Sequence, residues 1–538
     1  MPESVQPAPG ALPGARAAEE AADGLTGAPS VRALDEGAGE RPGSEVRRDA
    51  DGRIVEEISP GGARTTFERD AAGHVTQVTA SDGKNTEQIG YTYNSDGLIA
   101  TVFYLNDPEA TKISYTYDTH GNVTQVAYPD GKTLSQTFDN LGQLTSATDA
   151  AGAATEYTYN ADGTMKSAKQ TSATGAPMAE AAYTYDSLGR VISIERGNGV
   201  TTRFEYTDLN QPKTEKSTRP DGTVVAESTY TYTYDDENRL IAHARTDHRP
   251  AIDEEGRVLE GGKLVTTNAA YRYDDDGWLT HSDLRDAKGN PLLETAYTLN
   301  AKGDITRAET TSHTDNGPRT TVTENETDAS GKLLSVTVDG NKTVLERDAA
   351  GNLLKDARGN TWTYNGLRQP VSVTTPDGKR IAYTYWAEGN RKTTVIGEGE
   401  QQSTIAYHYQ PGGNTIANDT YTGADGTDAG TASYLIPGTP EARTFTGDGQ
   451  PTGASGYLLH DGSRNTTAQL ADDGTVNGAN YYTDYGQVIT NRGTPVTPRL
   501  DGGAAALAAL NPFTYGGQYT DPILGAPYKH TLRTYDPS

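Results

Sequence analysis

Apolar and polar residues alternate in short runs along most of this chain, and many runs end in one tyrosine-containing signature. Tyr115 and Tyr117 lie two positions apart, Asp118 follows, and Gly121 comes three positions later. Side chains two residues apart lie on the same face of a strand, so the two rings share a face. The aspartate and the glycine indicate a tight turn, because the carboxylate can bond backbone N–H groups and glycine accepts a positive φ. Each signature therefore predicts a β-hairpin.

The signature recurs along the chain at a regular spacing. The glycines that close successive turns lie roughly 21 to 26 residues apart, which is typical of stacked-repeat proteins. The connections between hairpins often carry a second turn signal of the Pro-Asp-Gly type. We therefore predict an all-β protein, built as a long antiparallel spiral of hairpins. The best copies of the signature are Tyr115, Tyr117, Asp118, Gly121, Tyr183, Tyr185, Asp186, Gly189, Tyr271, Tyr273, Asp274 and Gly277.

The pattern divides the chain into three parts. Residues 1–45 are rich in Ala, Pro, Gly and Glu, lack a signal-peptide apolar region, and are expected to form a disordered leader. Residues 46–455 carry the spiral, and residues 456–538 carry a different set of motifs. Within the spiral, residues 311–330 and 415–455 are expected to be loops or irregular repeats. In the C-terminal part, residues 504–510 could form about two helical turns.

Composition narrows the possible functions. The chain has 32 Tyr, 60 Gly and a mean hydropathy of −0.69, as expected for sheets that are part buried and part wet. It has no Cys, which excludes disulfides and thiol chemistry. A net charge of −27 argues against nucleic acid and anionic membranes as partners. The acidic balance could serve solubility or suit a cationic cargo. No apolar run reaches the ~20 residues that a membrane helix needs.

No group of residues has the spacing of a catalytic or metal site, so we expect neither cofactor nor enzyme activity. His460, Asp461 and Ser463 include the residue types of a catalytic triad, but neighbouring strand residues point to opposite faces. The tryptophans have two interpretations, packing on the sheet or a carbohydrate-stacking platform. They are Trp278, Trp362 and Trp386.

The repeats resemble the YD repeats of the Rhs family, which includes polymorphic toxins, toxin-complex cocoon subunits, wall-associated contact toxins and teneurins. The end of the chain is similar to the Rhs core-associated region, although the family's usual Gly-Leu-Tyr is replaced by a Gly-Ala-Pro-Tyr sequence. The family's self-cleavage aspartates and toxin have no counterpart before Ser538. The matching core-associated residues are Asn511, Pro512, Phe513, Tyr515, Gly517, Asp521, Pro522, Gly525, Tyr528, Arg533, Tyr535, Asp536 and Pro537.

The resemblance implies a hollow shell that encloses or presents a toxin, and we expect this chain to form a partly open one. Its partners would be a toxin domain or other cargo polypeptide, a second shell subunit, or a component of a secretion machine. Export would follow a non-Sec route, from the cytoplasm to the medium or the cell surface. The alternative function is an extracellular adhesion or glycan-binding surface. No catalytic residue is carried over, and Asp484, Asp521 and Asp536 are assigned to the repeat pattern.

Overall fold

The structure, a computed structural model, describes residues 45–259, 262–329, 331–348, 350–399, 402–426, 428–447, 454–496, 503–520 and 524. The predicted leader therefore lies outside the described residues, apart from its last residue. Regular structure is almost entirely antiparallel β-sheet, which confirms the predicted fold class.

The described residues form forty strands and two short helices. The first twenty-five strands are β1 (Glu45–Arg48), β2 (Ile54–Ile58), β3 (Arg64–Arg69), β4 (Val75–Ser81), β5 (Thr86–Tyr93), β6 (Ile99–Tyr104), β7 (Ile113–Tyr117), β8 (Val123–Ala127), β9 (Thr133–Phe138), β10 (Leu144–Thr148), β11 (Ala154–Tyr159), β12 (Met165–Thr171), β13 (Pro177–Tyr185), β14 (Val191–Arg196), β15 (Thr201–Tyr206), β16 (Pro212–Thr218), β17 (Val224–Tyr234), β18 (Leu240–Pro250), β19 (Leu264–Tyr273), β20 (Leu279–Asp286), β21 (Pro291–Leu299), β22 (Ile305–Thr314), β23 (Gly317–Thr327), β24 (Leu333–Val338) and β25 (Asn341–Val344). The others are β26 (Glu346–Arg347), β27 (Leu353–Lys355), β28 (Thr361–Tyr364), β29 (Pro370–Thr374), β30 (Arg380–Tyr385), β31 (Arg391–Ile396), β32 (Ser403–Tyr409), β33 (Ile416–Gly423), β34 (Asp428–Leu435), β35 (Ala442–Thr446), β36 (Gly456–His460), β37 (Thr466–Leu470), β38 (Val476–Ala479), β39 (Tyr481–Tyr482) and β40 (Val488–Ile489). The helices are α1 (Pro108–Thr111) and α2 (Gly503–Ala509), and a 3₁₀ turn covers Tyr515–Gly517.

Each strand pairs with its neighbours in sequence order. Strands β1–β25 form one sheet, β26–β38 form a second, and β39 and β40 form a small hairpin. The second large sheet follows the first directly along the chain. Strand β25 pairs with β24 and ends the first sheet, and β26 begins two residues later and pairs with β27. The chain is thus a continuous spiral of hairpins. Among the described strands, the first does not pair with the last, so the sheets are not closed.

The Asp-x-x-Gly turn is held by one carboxylate. Oδ1 of Asp118 accepts the backbone N–H groups of His120 (2.8 Å) and Asn122 (2.9 Å). Gly121 has a φ of +87° and donates its N–H to the carbonyl of Asp118 (3.2 Å). The aspartate thereby satisfies N–H groups that the bulged end of the strand pair leaves free.

The second tyrosine of the signature joins its hairpin to the preceding one. Its O–H donates to the carbonyl of the first residue in the return strand of that hairpin, at 2.5 to 2.9 Å, and we call this contact the tyrosine latch. Burial raises the pKa of Tyr117 to about 12, so its hydroxyl remains a donor at neutral pH. The donor and acceptor pairs are Tyr93 and Val75, Tyr117 and Ile99, Tyr159 and Leu144, Tyr185 and Met165, Tyr206 and Val191, Tyr364 and Leu353, Tyr385 and Pro370, Tyr409 and Arg391, and Tyr482 and Thr466.

Two hairpins without the latch tyrosine satisfy the same carbonyl in another way. Arg69 replaces the tyrosine in β3, and its guanidinium donates to the carbonyl of Ile54 (3.3 Å). Phe138 replaces it in β9, and Gln136 donates instead to the carbonyl of Val123 (2.7 Å). In these hairpins the same carbonyl therefore has a side-chain donor even where the tyrosine is absent.

The spiral winds back on itself, so that its second turn packs on its first. The side chain of Asn85 donates to the carbonyl of Tyr364, 279 residues away, and His408 bonds Asp130, 278 residues away. Farther along, Tyr297 bonds Asp484 at a separation of only 187 residues. The second turn thus passes the same sector with fewer residues than the first.

Of the two alternatives predicted for residues 311–330 and 415–455, loops or irregular repeats, the loops were wrong. Strands β22, β23 and β33–β35 occupy most of both segments. In the first, threonines favour strand structure and pair across it, as Thr311 and Thr320 do with hydroxyl oxygens 2.9 Å apart. In the second, β33 is buried along most of its length, so the polar alternation that marks a half-exposed strand is absent. The helix expected at 504–510 is present as α2.

The turn glycines are expected to matter through backbone conformation. Gly121→Val should lower the free energy of unfolding by about 1 kcal/mol or more, because a β-branched residue resists positive φ. Asp118→Asn is the matched control and should have a small effect, since Asn94 caps the equivalent turn with the same two backbone bonds. Chemical denaturation of both variants tests this, and equal losses would contradict it.

Removing one latch hydroxyl should also be measurable. Tyr117→Phe leaves the ring in place but removes the donor to the Ile99 carbonyl, so unfolding should become easier by about 1 kcal/mol. Thr116→Val, on the opposite and exposed face of the same strand, is the control and should change little. A neutral Tyr117→Phe variant would show that the ring alone holds neighbouring hairpins together.

Candidate functional site

The contact between the two turns of the spiral, which we call the seam, concentrates buried polar side chains. Glu388 lies at the turn between β30 and β31. It accepts the O–H groups of Tyr115 (2.5 Å, Oε2) and Tyr128 (3.2 Å, Oε1), both in the first turn of the spiral. Burial raises the pKa of Glu388, although these hydroxyl bonds oppose the rise. The seam therefore joins strands that are far apart in sequence through one carboxyl group.

Ion pairs hold the middle of the seam. Arg196 and Glu441 lie 3.0 Å apart, with side chains only 2% and 1% exposed. Next along, Arg245 bonds Asp461 of the second turn at 3.1 Å and Asp247 of its own strand at 2.9 Å. A buried charge that loses its partner is strongly destabilising. These pairs therefore fix how the second turn aligns with the first.

A charge cluster forms around Asp247 because two guanidinium groups face it. Arg249 approaches its other oxygen at 2.9 Å, and Ser228 donates to the same oxygen at 2.7 Å. Burial opposes ionisation, but Arg245 and Arg249 hold the pKa of Asp247 below its usual range. Both oxygens of the Asp247 carboxylate thus have partners within its own sheet.

The segment that follows the repeats docks on the second sheet through Asp419 in β33. Oδ2 of this buried carboxylate accepts the hydroxyls of Tyr421 (3.0 Å), Tyr434 (2.8 Å) and Tyr519 (3.0 Å). Burial raises the pKa of Asp419, an effect that neighbouring Arg443 opposes. Tyr519 belongs to the C-terminal segment, so one carboxylate ties that segment to two strands.

Arg443 completes this attachment. Its Nη1 donates to the carbonyls of Ala454 (2.8 Å) and Ala508 (2.7 Å), the latter in α2, and its Nη2 donates to the hydroxyl of Tyr421 (3.1 Å). Phe513 packs edge-to-face on Tyr434, with ring centres 5.0 Å apart. The helix and the segment after it therefore rest on β33 and β34 through both polar and aromatic contacts.

Comparison with known proteins agrees with this architecture. The RHS Repeat family model matches residues 48–84 and 91–133, and the Teneurin YD-shell model matches residues 133–226. Over these residues the chain is similar to RHS repeats and to the Teneurin YD-shell. The predicted resemblance to the Rhs and YD-repeat proteins is therefore confirmed.

Solved structures show the same fold over most of the chain. A TcdB2-TccC3-Cdc42 structure matches with a TM-score of 0.72 and 16% identity, and a Tc holotoxin pore from Photorhabdus luminescens gives the same two values. TcdB2-TccC3 without its hypervariable C-terminal region matches with a TM-score of 0.70 and 15% identity. Each match covers 92% of this chain. The chain spans 26%, 25% and 26% of the length of the three structures, respectively.

Within this YD shell, the residues of the repeat signature occupy the hairpin ends and the seam. Tyr115 and Tyr183 lie on the seam face, Tyr115 bonded to Glu388 and Tyr183 beside Glu441. Asp186 and Asp274 cap their turns as Asp118 does. Gly189 and Gly277 have φ values of +76° and +82°. Tyr185 forms a latch, Tyr271 stacks on His243 and Tyr273 bonds its ring nitrogen.

The described part of the core-associated motif forms a short strap across β37. The side chain of Asn511 bonds both backbone groups of Phe513, and the carbonyl of Pro512 accepts the N–H of Thr520 at 2.6 Å. Tyr515 packs over Gly486, and Gly517 has a φ of +65°. The remaining predicted motif residues lie outside the described residues: Asp521, Pro522, Gly525, Tyr528, Arg533, Tyr535, Asp536 and Pro537.

The residues considered for catalysis have structural partners. Asp461 caps a turn and pairs with Arg245, and His460 bonds the carbonyl of Pro440 at 2.6 Å. Asp484 accepts the hydroxyls of Ser282 and Tyr297, and burial raises its pKa. Across the described ranges, no group of His, Asp or Glu side chains is arranged to hold a metal ion. No described helix is long and apolar enough to cross a membrane.

The tryptophans are engaged in packing and hydrogen bonds. Trp386 is 3% exposed and donates to the carbonyl of Tyr407, and Trp362 donates to Asp356. Trp278 covers Gly303, where an added Cβ would lie 2.5 Å from the ring.

Sequence reasoning missed the seam residue Glu388 and the docking residues Asp419 and Arg443. One signal was available, and it concerns Asp419 alone. Asp419 lies inside a strand, two positions before Tyr421 and therefore on the tyrosine face. Its hydrogen-bond partners on that face include Tyr519, which lies 100 positions away, and no local pattern indicates that contact.

The buried carboxyl of Glu388 should make stability depend on pH. Its pKa is raised in the folded protein above the ordinary 4.5, so its stabilising contribution is present at low pH and is lost as pH rises through the folded value. Glu388→Gln keeps one oxygen that accepts a tyrosine hydroxyl and presents an NH2 group that can donate to the oxygen of the other, and it does not titrate. The unfolding temperature of the natural protein, relative to Glu388→Gln, should therefore fall as pH rises above the ordinary 4.5.

The matched control is Asp118→Asn. Turn hydrogen bonds outweigh desolvation and hold the pKa of Asp118 below its ordinary value of 3.8. The unfolding temperature of the natural protein relative to Asp118→Asn should therefore stay constant over the same pH range. Parallel pH profiles for the natural protein and Glu388→Gln would show that Glu388 titrates normally.

Proposed function

We propose that this chain is a non-enzymatic wall of an Rhs-type toxin shell, which encloses or presents a polypeptide cargo. The observation that carries the proposal is the packing of the second spiral turn on the first. Strands more than 270 residues apart are joined by buried pairs such as Tyr115 with Glu388. A spiral of sheet that winds back on itself can enclose a volume, whereas a straight stack of hairpins cannot.

The relatives support a toxin cargo. Their structures contain TcdB2 with TccC3, one is a Tc holotoxin pore, and another lacks a hypervariable C-terminal region. By analogy, we propose that a variable polypeptide is the cargo of this shell. We also propose a non-Sec export route, with the assembled shell acting outside the cell that makes it.

The proposed division of labour follows the motifs. Residues 46–455 would build the wall and residues 456–538 would close one end, with the strap and α2 seated on Asp419 and Arg443. The sheet runs on across the proposed boundary, since Tyr457 in β36 pairs with Ala442 in β35. The boundary would then separate roles rather than independently folded units.

Protease protection tests enclosure. The full chain is produced in the cells that naturally make it, with an unstructured epitope-tagged polypeptide fused after Ser538. A version with the same polypeptide fused before Met1 is the control. We expect the C-terminal reporter to resist a non-specific protease while the N-terminal reporter is cut. Cleavage of both at equal rates would overturn enclosure and leave the adhesive function.

A further inference from the structure

A glutamate of the first spiral turn lies in the middle of the seam without a charged group of its own to bind. Glu215, in β16, is 5% exposed. Its Oε2 accepts the hydroxyl of Tyr230 at 3.2 Å. Its Oε1 has no hydrogen-bond partner among the described residues. The carboxyl group is thus enclosed by protein and held by a single hydroxyl.

The second spiral turn packs directly on this carboxyl group through the hairpin turn between β36 and β37. The backbone N–H of Gly462 in that hairpin turn donates to the hydroxyl of Tyr230 at 3.4 Å. A Cβ atom added at Gly462 would lie 3.0 Å from Oε1 of Glu215 and 2.8 Å from the ring of Pro212. This close approach leaves no room for a counter-ion between Gly462 and Glu215.

The charges around Glu215 do not balance if every neighbour is ionised. Two guanidinium groups, those of Arg245 and Arg249, lie among three carboxyl groups. Asp247 bonds both guanidinium groups, and Asp461 bonds Arg245 at 3.1 Å. A third carboxylate would place an uncompensated negative charge in this buried cluster, which is strongly unfavourable. Glu215 is therefore the carboxyl group that keeps its proton in the closed seam.

The other groups that face Glu215 agree with this assignment. Burial and the facing carboxylate of Asp461 raise the pKa of Glu215 well above its ordinary 4.5. The guanidinium groups of Arg249 and Arg245 oppose this rise. The remaining titratable neighbours are tyrosines, whose pKa values burial also raises, so they add no charge at neutral pH. They are Tyr206 in β15 and Tyr230 and Tyr232 in β17.

We propose that Glu215 is a pH switch in the seam: its protonated form lets the β36–β37 hairpin turn close on the first spiral turn, and its ionisation releases that hairpin turn. Ionisation sets a third negative charge beside Asp461, and the cost is relieved when Gly462 moves away and water reaches the carboxylate. This inference deepens the proposed shell function and rests on it for its use, because release loosens the wall. The wall is thus tight in acid and looser at higher pH.

Hydrogen exchange followed by mass spectrometry tests the switch. The full chain and a Glu215→Gln variant are compared at each pH of a series that begins near the ordinary 4.5. Gln has the shape of the protonated side chain and does not titrate. Both proteins carry the same other acids, including Glu388, and the effect of pH on the exchange chemistry itself cancels. The comparison therefore isolates the titration of residue 215.

We expect β36 and β37 to be equally protected in the two proteins at the lowest pH. As pH rises, these strands of the natural protein should lose protection relative to Glu215→Gln by up to about ten-fold per pH unit, because the closed seam binds one proton more than the open one. Strands β3–β5, at the start of the first sheet, should stay equal in the two proteins.

Two further variants test the charge balance. Asp461→Asn removes one carboxylate and keeps the turn cap, as Asn94 does in its own turn, so Glu215 can ionise against Arg245 and the pH effect should shrink. Glu205→Gln makes the same chemical change at an exposed position of β15, where Glu205 pairs with Lys213 at 3.5 Å. It should respond to pH as the natural protein does.

Three results would overturn the proposal. The first is equal protection of the natural protein and Glu215→Gln at every pH. The second is a loss of protection that is the same in all strands, because the whole fold rather than the seam would then respond. The third is a loss that appears on acidification. If Glu215→Gln does not fold, the comparison of the natural protein with Asp461→Asn decides.

These results are separable from the test of enclosure. Exchange in β36 and β37 is measured without a cargo, so a freely cleaved C-terminal reporter would reject enclosure and leave the switch in place. A protected reporter, together with no effect of pH on the exchange difference, would keep the shell and reject the switch.

Discussion

The tyrosine latch is the contact on which the rest of the structure depends. Each hairpin of this protein is too small to bury its own apolar face, so it must be held at a fixed position against its neighbour. A hydroxyl such as that of Tyr117 does this because it reaches a carbonyl of the preceding hairpin while its ring covers the sheet. Repeated along the chain, the latch turns a series of weak hairpins into a continuous wall.

The seam solves a different problem, which is alignment between turns of the spiral. Apolar contacts alone would tolerate a shift of one hairpin, because the repeats resemble one another. A buried pair such as Arg196 with Glu441 does not tolerate it, since a shift would leave a charge without a partner in a place that water does not reach. We interpret the buried charges as fixing the alignment of the second spiral turn on the first, more than as adding to the stability of the fold.

The C-terminal segment combines both solutions. Tyr519 uses a hydroxyl, as the latch tyrosines do, but its acceptor is the carboxylate of Asp419. Arg443 then satisfies the carbonyl of Ala508 at the end of α2. The described part of this segment is thereby fixed mainly by side chains, together with a backbone bond from the N–H of Thr466 in β37 to the carbonyl of Thr514 (2.9 Å).

Local sequence determined the hairpins, their turns and their order. The alternation around Tyr115 and Tyr117 and the glycine at 121 act within a few residues, so their structure could be predicted from spacing alone. The tyrosine signature does not mark every strand. Strands β22 and β23 are rich in threonine and β33 is buried along most of its length, so the signature did not predict them. Only the tertiary structure decided that the spiral returns after about 275 residues, and thus that Glu388 meets Tyr115. That distance is the sum of many small twists between strands, and no short pattern in the sequence records it.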